Sequence, residues 1–477
     1  MDKLDVFTPR NTAELFRSLP GIRIEATSGE GNANITIRGL PLADGGSRYV
    51  QIQEDGLPIV EFGDIAFGNA DVLFRSDVTI GNVEAVRGGS AAIFASNSPG
   101  GVINMITKDG KVAGGSLAFT YGLDYDTTRA DFNYGSPIND SLRFNIGGFF
   151  RTGEGPRKTG THDGGGQIKA NFTKDFKGGY VRFAVKAIDD TAPTYLPAPA
   201  KVNGTSSFGS LPGFDVLTGS LYTPNLTTDP AVDSHGRDVT RRFDGIHIKV
   251  ASIGAEFMVS PAEDLTITDR VRFSSQSAQW GAPFPATIRT AADAVAAYAG
   301  TFTGATKLVY SSGVNKGQAV APTTLVTTVH AFDTDASDMG WMGNDLKINK
   351  FVRLGDGSKL DFTAGYYRSE QKIVQDWTWA AYLLETKGQN ANTLNLSTAD
   401  GTPLTANGQL SYVTVNAFAL YQITKDLTVT LNANNLLNAQ GWTEGEDGSL
   451  PSAGALQLTR ARTITGRTVS ASLKYTF

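Results

Sequence analysis

Two arginines stand beside glycines at the ends of predicted strands, Arg38 in Ile37-Arg-Gly39 and Arg87 in Val86-Arg-Gly88. A guanidinium held at a turn can grip a carboxylate through two parallel hydrogen bonds, or it can simply remain solvated there. Either way the chemistry on offer is charged recognition. Bond-breaking groups are not arrayed to act together. His162, His235, His247 and His330 are scattered over loops and one strand, with no partner at metal-ligand spacing. Cysteine is absent, which removes disulfides and thiolate metal sites. Gly88-Gly-Ser90 is not a phosphate loop, because no helix opening on Lys-Ser or Lys-Thr follows it. The chain is therefore expected to be no enzyme and to carry no metal and no cofactor.

The elements that would position such residues are mostly strands. The final stretch, Thr468 to Phe477, sets Val469, Ala471, Leu473, Tyr475 and Phe477 on one face and Ser470, Ser472, Lys474 and Thr476 on the other. A period of two suits a half-buried strand in a soluble sheet and equally a strand between lipid and a lumen. Composition favours the second. With 54 Gly, 26 Phe and 15 Tyr in 477 residues and a mean hydropathy of -0.17, the chain is too polar for a helical bundle in a membrane. A wall of strands offers lipid only alternate side chains and tolerates such a mean. The net charge of -5 gives no case for a nucleic-acid partner. Met1-Asp-Lys-Leu-Asp5 shows no basic segment followed by an apolar one, so no secretion signal is expected there.

Alternating runs are read at 116–123, 128–135, 142–151, 167–173, 180–188, 265–274, 359–368, 427–435 and 468–477. Short turns at 139–140, 174–179 and 260–264 contrast with long connections at about 189–243, 276–340 and 375–410. Short turns on one rim and long loops on the other are the asymmetry of outer-membrane barrels. Before residue 110 the pattern differs. Asn11 to Leu19 reads as a short capped helix stopped by Pro20-Gly21. Short strands follow, with Asp55-Gly56 as a tight turn.

Five motifs occur in order over this stretch: Leu19-Pro-Gly-Ile22, Ile37-Arg-Gly39, Asp55-Gly-Leu-Pro58, Val83-Glu-Ala-Val-Arg-Gly88 and Pro99-Gly-Gly-Val-Ile-Asn104. Together they closely resemble the plug domain of TonB-dependent outer-membrane receptors, and Asn434-Asn-Leu-Leu-Asn438 with the final strand resembles that family's closing hairpin. The resemblance implies a mostly β fold: a transmembrane antiparallel β-barrel, possibly incomplete at roughly 12–14 strands, with an N-terminal α/β plug domain. The plug is expected over residues 1–110 and the barrel over 111–477. Arg38 and Arg87 would pair with wall glutamates and lock the plug, with Glu84 in the same network. Tyr475 and Phe477 would form the barrel assembly signal.

Function follows the same resemblance: a monomer in the Gram-negative outer membrane, importing a bulky scarce nutrient such as a ferric siderophore. It implies the TonB-ExbB-ExbD energy-coupling complex, the barrel assembly machinery and outer-membrane lipid as partners, and no nucleic acid. A carbohydrate or other organic-compound receptor of this fold, or a structural or adhesive barrel without transport, are the alternatives. The TonB-contacting box is expected to be missing, since only Leu4-Asp-Val-Phe-Thr8 weakly matches one. Ligand contacts are expected at the apices 42–48 and 60–67, through Arg48, Tyr49, Glu61, Phe62, Asp64 and Phe67. Trp280 and Trp341, with Trp377 and Trp379, are placed in or beside long loops where they could stack on a ligand.

Plugged transporters of this family use about 22 strands, and a lumen narrows with strand number. Too few runs are legible here, and the mid-barrel segment that supplies lock glutamates has no counterpart beyond Glu256 and Glu370. The chain is therefore expected to be a shortened receptor, joined somewhere in 395–415 just before the hairpins that begin near Tyr412.

Overall fold

The computed structural model describes residues 11–17, 19–26, 29–40, 49–61, 68–88, 98–160, 163–195, 197–203, 207–232, 237–355 and 358–404. Beyond them it describes strand segments at 417–424, 427–434, 442–446, 460–463 and 468–475. The chain divides into two compact units, 1–288 with 325–393, and 289–324 with 394–477.

In the first unit Asn11 caps helix α1 (Thr12–Phe16) by accepting the Glu14 N–H on its side-chain oxygen at 2.9 Å. The helix is shorter than its sequence pattern, and it buries Leu15 and Phe16. Strands β1 (Ile22–Glu25) and β2 (Asn34–Ile37) pair antiparallel. A four-stranded sheet follows, made of β3 (Val50–Glu54), β4 (Leu57–Pro58), β5 (Ile80–Arg87) and β6 (Gly101–Thr107) in the order β4-β3-β6-β5. The β3–β4 turn needs positive φ at both central residues, and Asp55 (φ 51) and Gly56 (φ 82) supply it. Asp55 then pins the turn by accepting the Thr107 N–H at 2.8 Å and its hydroxyl at 2.9 Å.

From residue 114 the strands lengthen. They are β7 (Gly114–Tyr121), β8 (Asp126–Asn139), β9 (Leu142–Gly155), β10 (Gly164–Phe176) and β11 (Gly179–Ala192). Two small hairpins come next, β12 (Lys201–Asn203) with β13 (Ser207–Gly209), and β14 (Thr228–Val232) with β15 (Asp238–Arg242). The large sheet resumes with β16 (Gly245–Ala262) and β17 (Leu265–Thr290). Its order is β7 through β11, then β16 and β17, all antiparallel.

Among the described residues before 110 no strand joins this large sheet; one isolated bridge pairs Gly29 with Thr194, just past the end of β11. The described strands of the amino-terminal segment thus pair among themselves, and side chains of the sheet bond to several of the segment's backbone groups.

The long connections expected at 276–340 and 375–410 are strand in part, at 276–290, 307–310, 325–338, 375–385 and 393–397. The first half of β17 pairs with a strand at 341–353 and its second half lies beside one at 325–338. Those two, with partners at 359–371 and 374–385, are two long strands, each interrupted once, near Gly340 and Lys372. The stretch 245–262 also carries an alternating burial pattern, over 246–253. The turns at 140–141, 177–178 and 263–264 lie at one end of the sheet, and the 193–244 connection lies at the other.

The sheet is inverted relative to a soluble one. Along β8 the buried residues are Thr127, Arg129, Asp131 and Asn133, while Phe132 and Tyr134 are exposed. On β10, Gln167, Lys169, Asn171 and Thr173 are buried, and Ile168 and Phe172 are exposed. Polar residues therefore face the amino-terminal segment and apolar ones face outward. Near the short turns the outward aromatics stack across strands, Phe144 on Phe172 at 6.2 Å and Phe176 on Phe257 at 5.8 Å. An apolar cluster of Phe16, Ile52, Leu73 and Ile103 continues into Ile188, Ile246 and Ile248 of the sheet.

The second unit holds a helix at Ala291–Tyr298 capped by Thr290, and an antiparallel pairing of 307–310 with 394–397. It also holds a three-stranded sheet in which 427–434 lies between 417–424 and 468–475, and a hairpin of 442–446 with 460–463. The expected junction is described only as far as residue 404; Tyr412 lies outside the described residues.

Candidate functional site

Side chains of the large sheet grip the amino-terminal segment in two buried ionic clusters. In the first, Arg75 is fully buried on the 68–79 loop, where Gly31 leaves it room: a Cβ at Gly31 would lie 2.5 Å from the Arg75 Nη1. Its Nε donates to Asp190 at 2.5 Å, and its Nη1 donates to the carbonyls of Phe74 at 2.9 Å and Val72 at 3.2 Å. Arg151 of β9 grips both oxygens of the same Asp190 at 2.9 and 2.7 Å and also reaches Glu30 and Asp163. One wall carboxylate thus joins an arginine of each part. Nearby, Arg129 donates to the Ser76 carbonyl at 2.7 Å and Asn171 to the Lys108 carbonyl at 2.9 Å.

The second cluster surrounds Glu54, the last residue of β3. Lys169 of β10 and Lys186 of β11 each donate to one of its carboxylate oxygens at 2.5 Å. Arg272 of β17 donates to the Glu54 and Leu57 carbonyls at 3.1 Å each, and to that of Pro58. The Trp341 ring lies 4.9 Å from the Arg272 guanidinium carbon. Burial pushes the Glu54 carboxyl up, but Lys169, Lys186 and Arg272 together hold it well below the usual carboxylate range.

Apart from Trp341, none of these residues stands out in the sequence. The available signal was a charge at an inward position of an alternating strand, as for Lys169 between Ile168 and Ala170.

The arginines that were singled out stand elsewhere. Arg38 is exposed with φ 49, and Arg87 is exposed and donates to the Pro20 carbonyl. Among the described residues neither guanidinium meets a carboxylate. Glu84 is exposed and accepts from Asn104 at 3.4 Å. Glu256 pairs with Arg270 at 3.0 Å and Glu370 pairs with Arg368, so neither supplies the expected wall partner.

Glu61 does meet the sheet: its N–H donates to Gln371 at 2.9 Å and its carboxylate accepts from Tyr367 at 2.6 Å. Tyr49 is half-buried against the core cluster. Arg48, Phe62, Asp64, Phe67 and Phe477 lie outside the described residues, as does the side chain of Tyr475. Trp280 and Trp341 are not the loop residues that the sequence suggests. Both lie on strands rather than loops and both are buried, Trp280 within the apolar cluster and Trp341 against Arg272. Neither indole is available to stack on an arriving ligand. Trp377 is exposed, but on a strand; the Trp379 side chain lies outside the described residues.

Asp71 and Glu54 give the segment opposite pH responses. Burial raises the Asp71 carboxyl to about 6, against bonds from the Ala33 N–H, the Arg75 charge and the Thr12 hydroxyl. A raised acid contributes stability that is full below its unfolded value and lost as pH rises through 6. The lowered Glu54 contributes above its unfolded value and loses that contribution only as pH falls through its depressed one. Protection of the Ile103 amide from hydrogen exchange should therefore peak near pH 4 and fall by on the order of 2 kcal/mol as pH rises to about 6. Asp71→Asn should flatten that fall, and an unchanged profile would refute the assignment.

A family model of the TonB-dependent Receptor Plug Domain matches residues 1–102. Over 149 residues the chain is 28% identical to the ferric enterobactin receptor PirA of Pseudomonas aeruginosa, covering 28% of this chain and 19% of that protein. Over 107 residues it is 31% identical to the vitamin B12 transporter BtuB of Photobacterium profundum, covering 22% of this chain and 16% of that one. Among solved structures, the ferric-catecholate import receptor Fiu of Escherichia coli is similar with a TM-score of 0.49 and 14% identity, over 97% of this chain and 63% of that one. The matched stretches span less than a quarter of the curated relatives.

Proposed function

Since the chain belongs to the TonB-dependent receptors of the Gram-negative outer membrane, with their plug at residues 1–102, we propose that it binds a bulky nutrient from outside and releases it inward when energy reaches the plug. A ferric siderophore is the proposed nutrient, in line with the PirA similarity. The observation that carries the reading is the inverted sheet. Apolar side chains face outward along β8 to β11, while buried charges face inward and hold an amino-terminal segment by ion pairs. Such a wall matches lipid outside and a movable polar domain inside. A permanent core would be expected to use apolar contacts there, because a desolvated ion pair stabilises little for its cost.

In this reading residues 1–110 act as the plug and 111–477 as the wall, and the TonB-ExbB-ExbD complex is the partner that moves the plug. Tyr49 and Glu61, with the segments 42–48 and 62–67, would meet the ligand. The reading is tested by incubating cells that display the chain with a labelled ferric catecholate, cobalamin or a maltooligosaccharide. Saturable binding of the ferric complex, with uptake abolished by a protonophore, is expected. Saturable binding of only one of the others would overturn the siderophore assignment, and no binding at all would overturn the receptor reading.

A further inference from the structure

The Glu54 cluster borders a cavity of about 80 Å³ between the Asp55-Gly56 turn and the inner faces of β10, β11, β16 and β17. At roughly 30 Å³ per water, it holds two or three waters or one small oxyanion.

The charges around it do not balance. A simple fastening needs one cation per carboxylate, but two ammonium groups share Glu54, and Arg272 is bound only to carbonyls and to the Trp341 face. The other nearby acids are engaged elsewhere, Asp55 with Thr107 and Glu256 with Arg270. All three cations belong to the sheet, whereas Glu54 belongs to the amino-terminal segment, next to a hairpin tip. Any shift of that hairpin would take Glu54 and Asp55 away together, leave Glu256 paired with Arg270, and leave Lys169, Lys186 and Arg272 lining the space.

We propose that Lys169, Lys186 and Arg272 form an oxyanion site on the wall, occupied at rest by the Glu54 carboxylate and offered to a carboxylate of the passing cargo once the plug moves. This rests on the receptor reading and deepens it, assigning the cargo an anionic group. Glu54 is then a displaceable surrogate for that group. Its removal uncovers the site only when the segment has already let go, so an anion would meet cations along the path rather than an apolar wall.

Oxalate serves as the probe, on the full chain in detergent. The readout is acylation of Lys169 and Lys186 by an amine-reactive ester, mapped by peptide mass spectrometry. In Glu54→Gln, oxalate should protect both lysines at a concentration about tenfold lower than in the unsubstituted chain, the equivalent of one modest charge interaction. Adding Lys186→Met to Glu54→Gln should abolish the protection of Lys169. Equal protection with and without Glu54, or none in Glu54→Gln, would overturn the site. If Glu54→Gln fails to fold, as judged by lost exchange protection at Ile103, Glu54→Asp replaces it: its retracted carboxylate should raise protection several-fold, and none would overturn the site. Oxalate binding requires neither uptake nor a partner, so its failure leaves the receptor reading standing, and failed uptake leaves the oxyanion site standing.

Discussion

Asp190→Ala should loosen the amino-terminal segment by about 3–5 kcal/mol, the range for removing one partner of a buried ion pair. Asp190 accepts from Arg75 and from Arg151, and all three side chains are buried. Its loss leaves Arg75 desolvated with only the carbonyls of residues 72 and 74, while Arg151 keeps Glu30 and Asp163. The measurement is hydrogen exchange at Ile52 and Ile103, which lie in the segment's core, with heat stability of the wall followed in parallel. Exchange should accelerate by two orders of magnitude or more, since about 1.4 kcal/mol is tenfold, while the wall stays folded. Replacing both partners, Arg75→Met with Asp190→Leu, should recover much of the loss, because paired apolar residues avoid the desolvation cost. Unchanged exchange in Asp190→Ala would show that the cluster does not hold the segment.

Ile253→Arg should cost about 2–4 kcal/mol of folded wall in lipid, the range for a cation on the lipid face near the midplane. Ile253 lies midway along β16 with 62% of its surface exposed, and its neighbours across the sheet are Val185 and Phe273, both also outward and apolar. Exposure by itself does not distinguish water from lipid. Leu217 is 76% exposed on the 193–244 connection, and there Arg should change stability by no more than about 0.5 kcal/mol. Folding of both variants into phospholipid vesicles, read by heat-dependent gel mobility, compares the two positions directly. Equal tolerance of Arg at 253 and 217 would mean that the outward face of β16 meets water.

The chain order alone determined the strand periodicity and the two regimes on either side of residue 110. Alternation is local, so Arg129, Asp131 and Asn133 could be separated from Phe132 and Tyr134 without knowing any partner. The Asp55-Gly56 turn and the Asn11 cap were legible for the same reason, since each is set by bonds within a few residues. The family motifs gave the plug its place.

The sequence could not reveal which face of each strand a long-range partner would occupy. Glu54 meets Lys169 and Lys186 across 115 and 132 positions, and Arg75 meets Asp190 across 115. No local pattern encodes such a pairing; it exists only where the amino-terminal segment is laid against the inner face of the sheet. Arg38 and Arg87 are conspicuous because they sit in short motifs, whereas nothing local marks the burial of Arg75 and Glu54. Trp280 and Trp341 failed as ligand contacts for a related reason. Their neighbourhood lacks clean alternation, because a 26-residue strand is flanked by interrupted partners, so its sequence resembles loop although the indoles are buried on strands. Strand periodicity fixes which side chains share a face, but only closure of the tertiary contacts decides which face is dry, which is charged and what it grips.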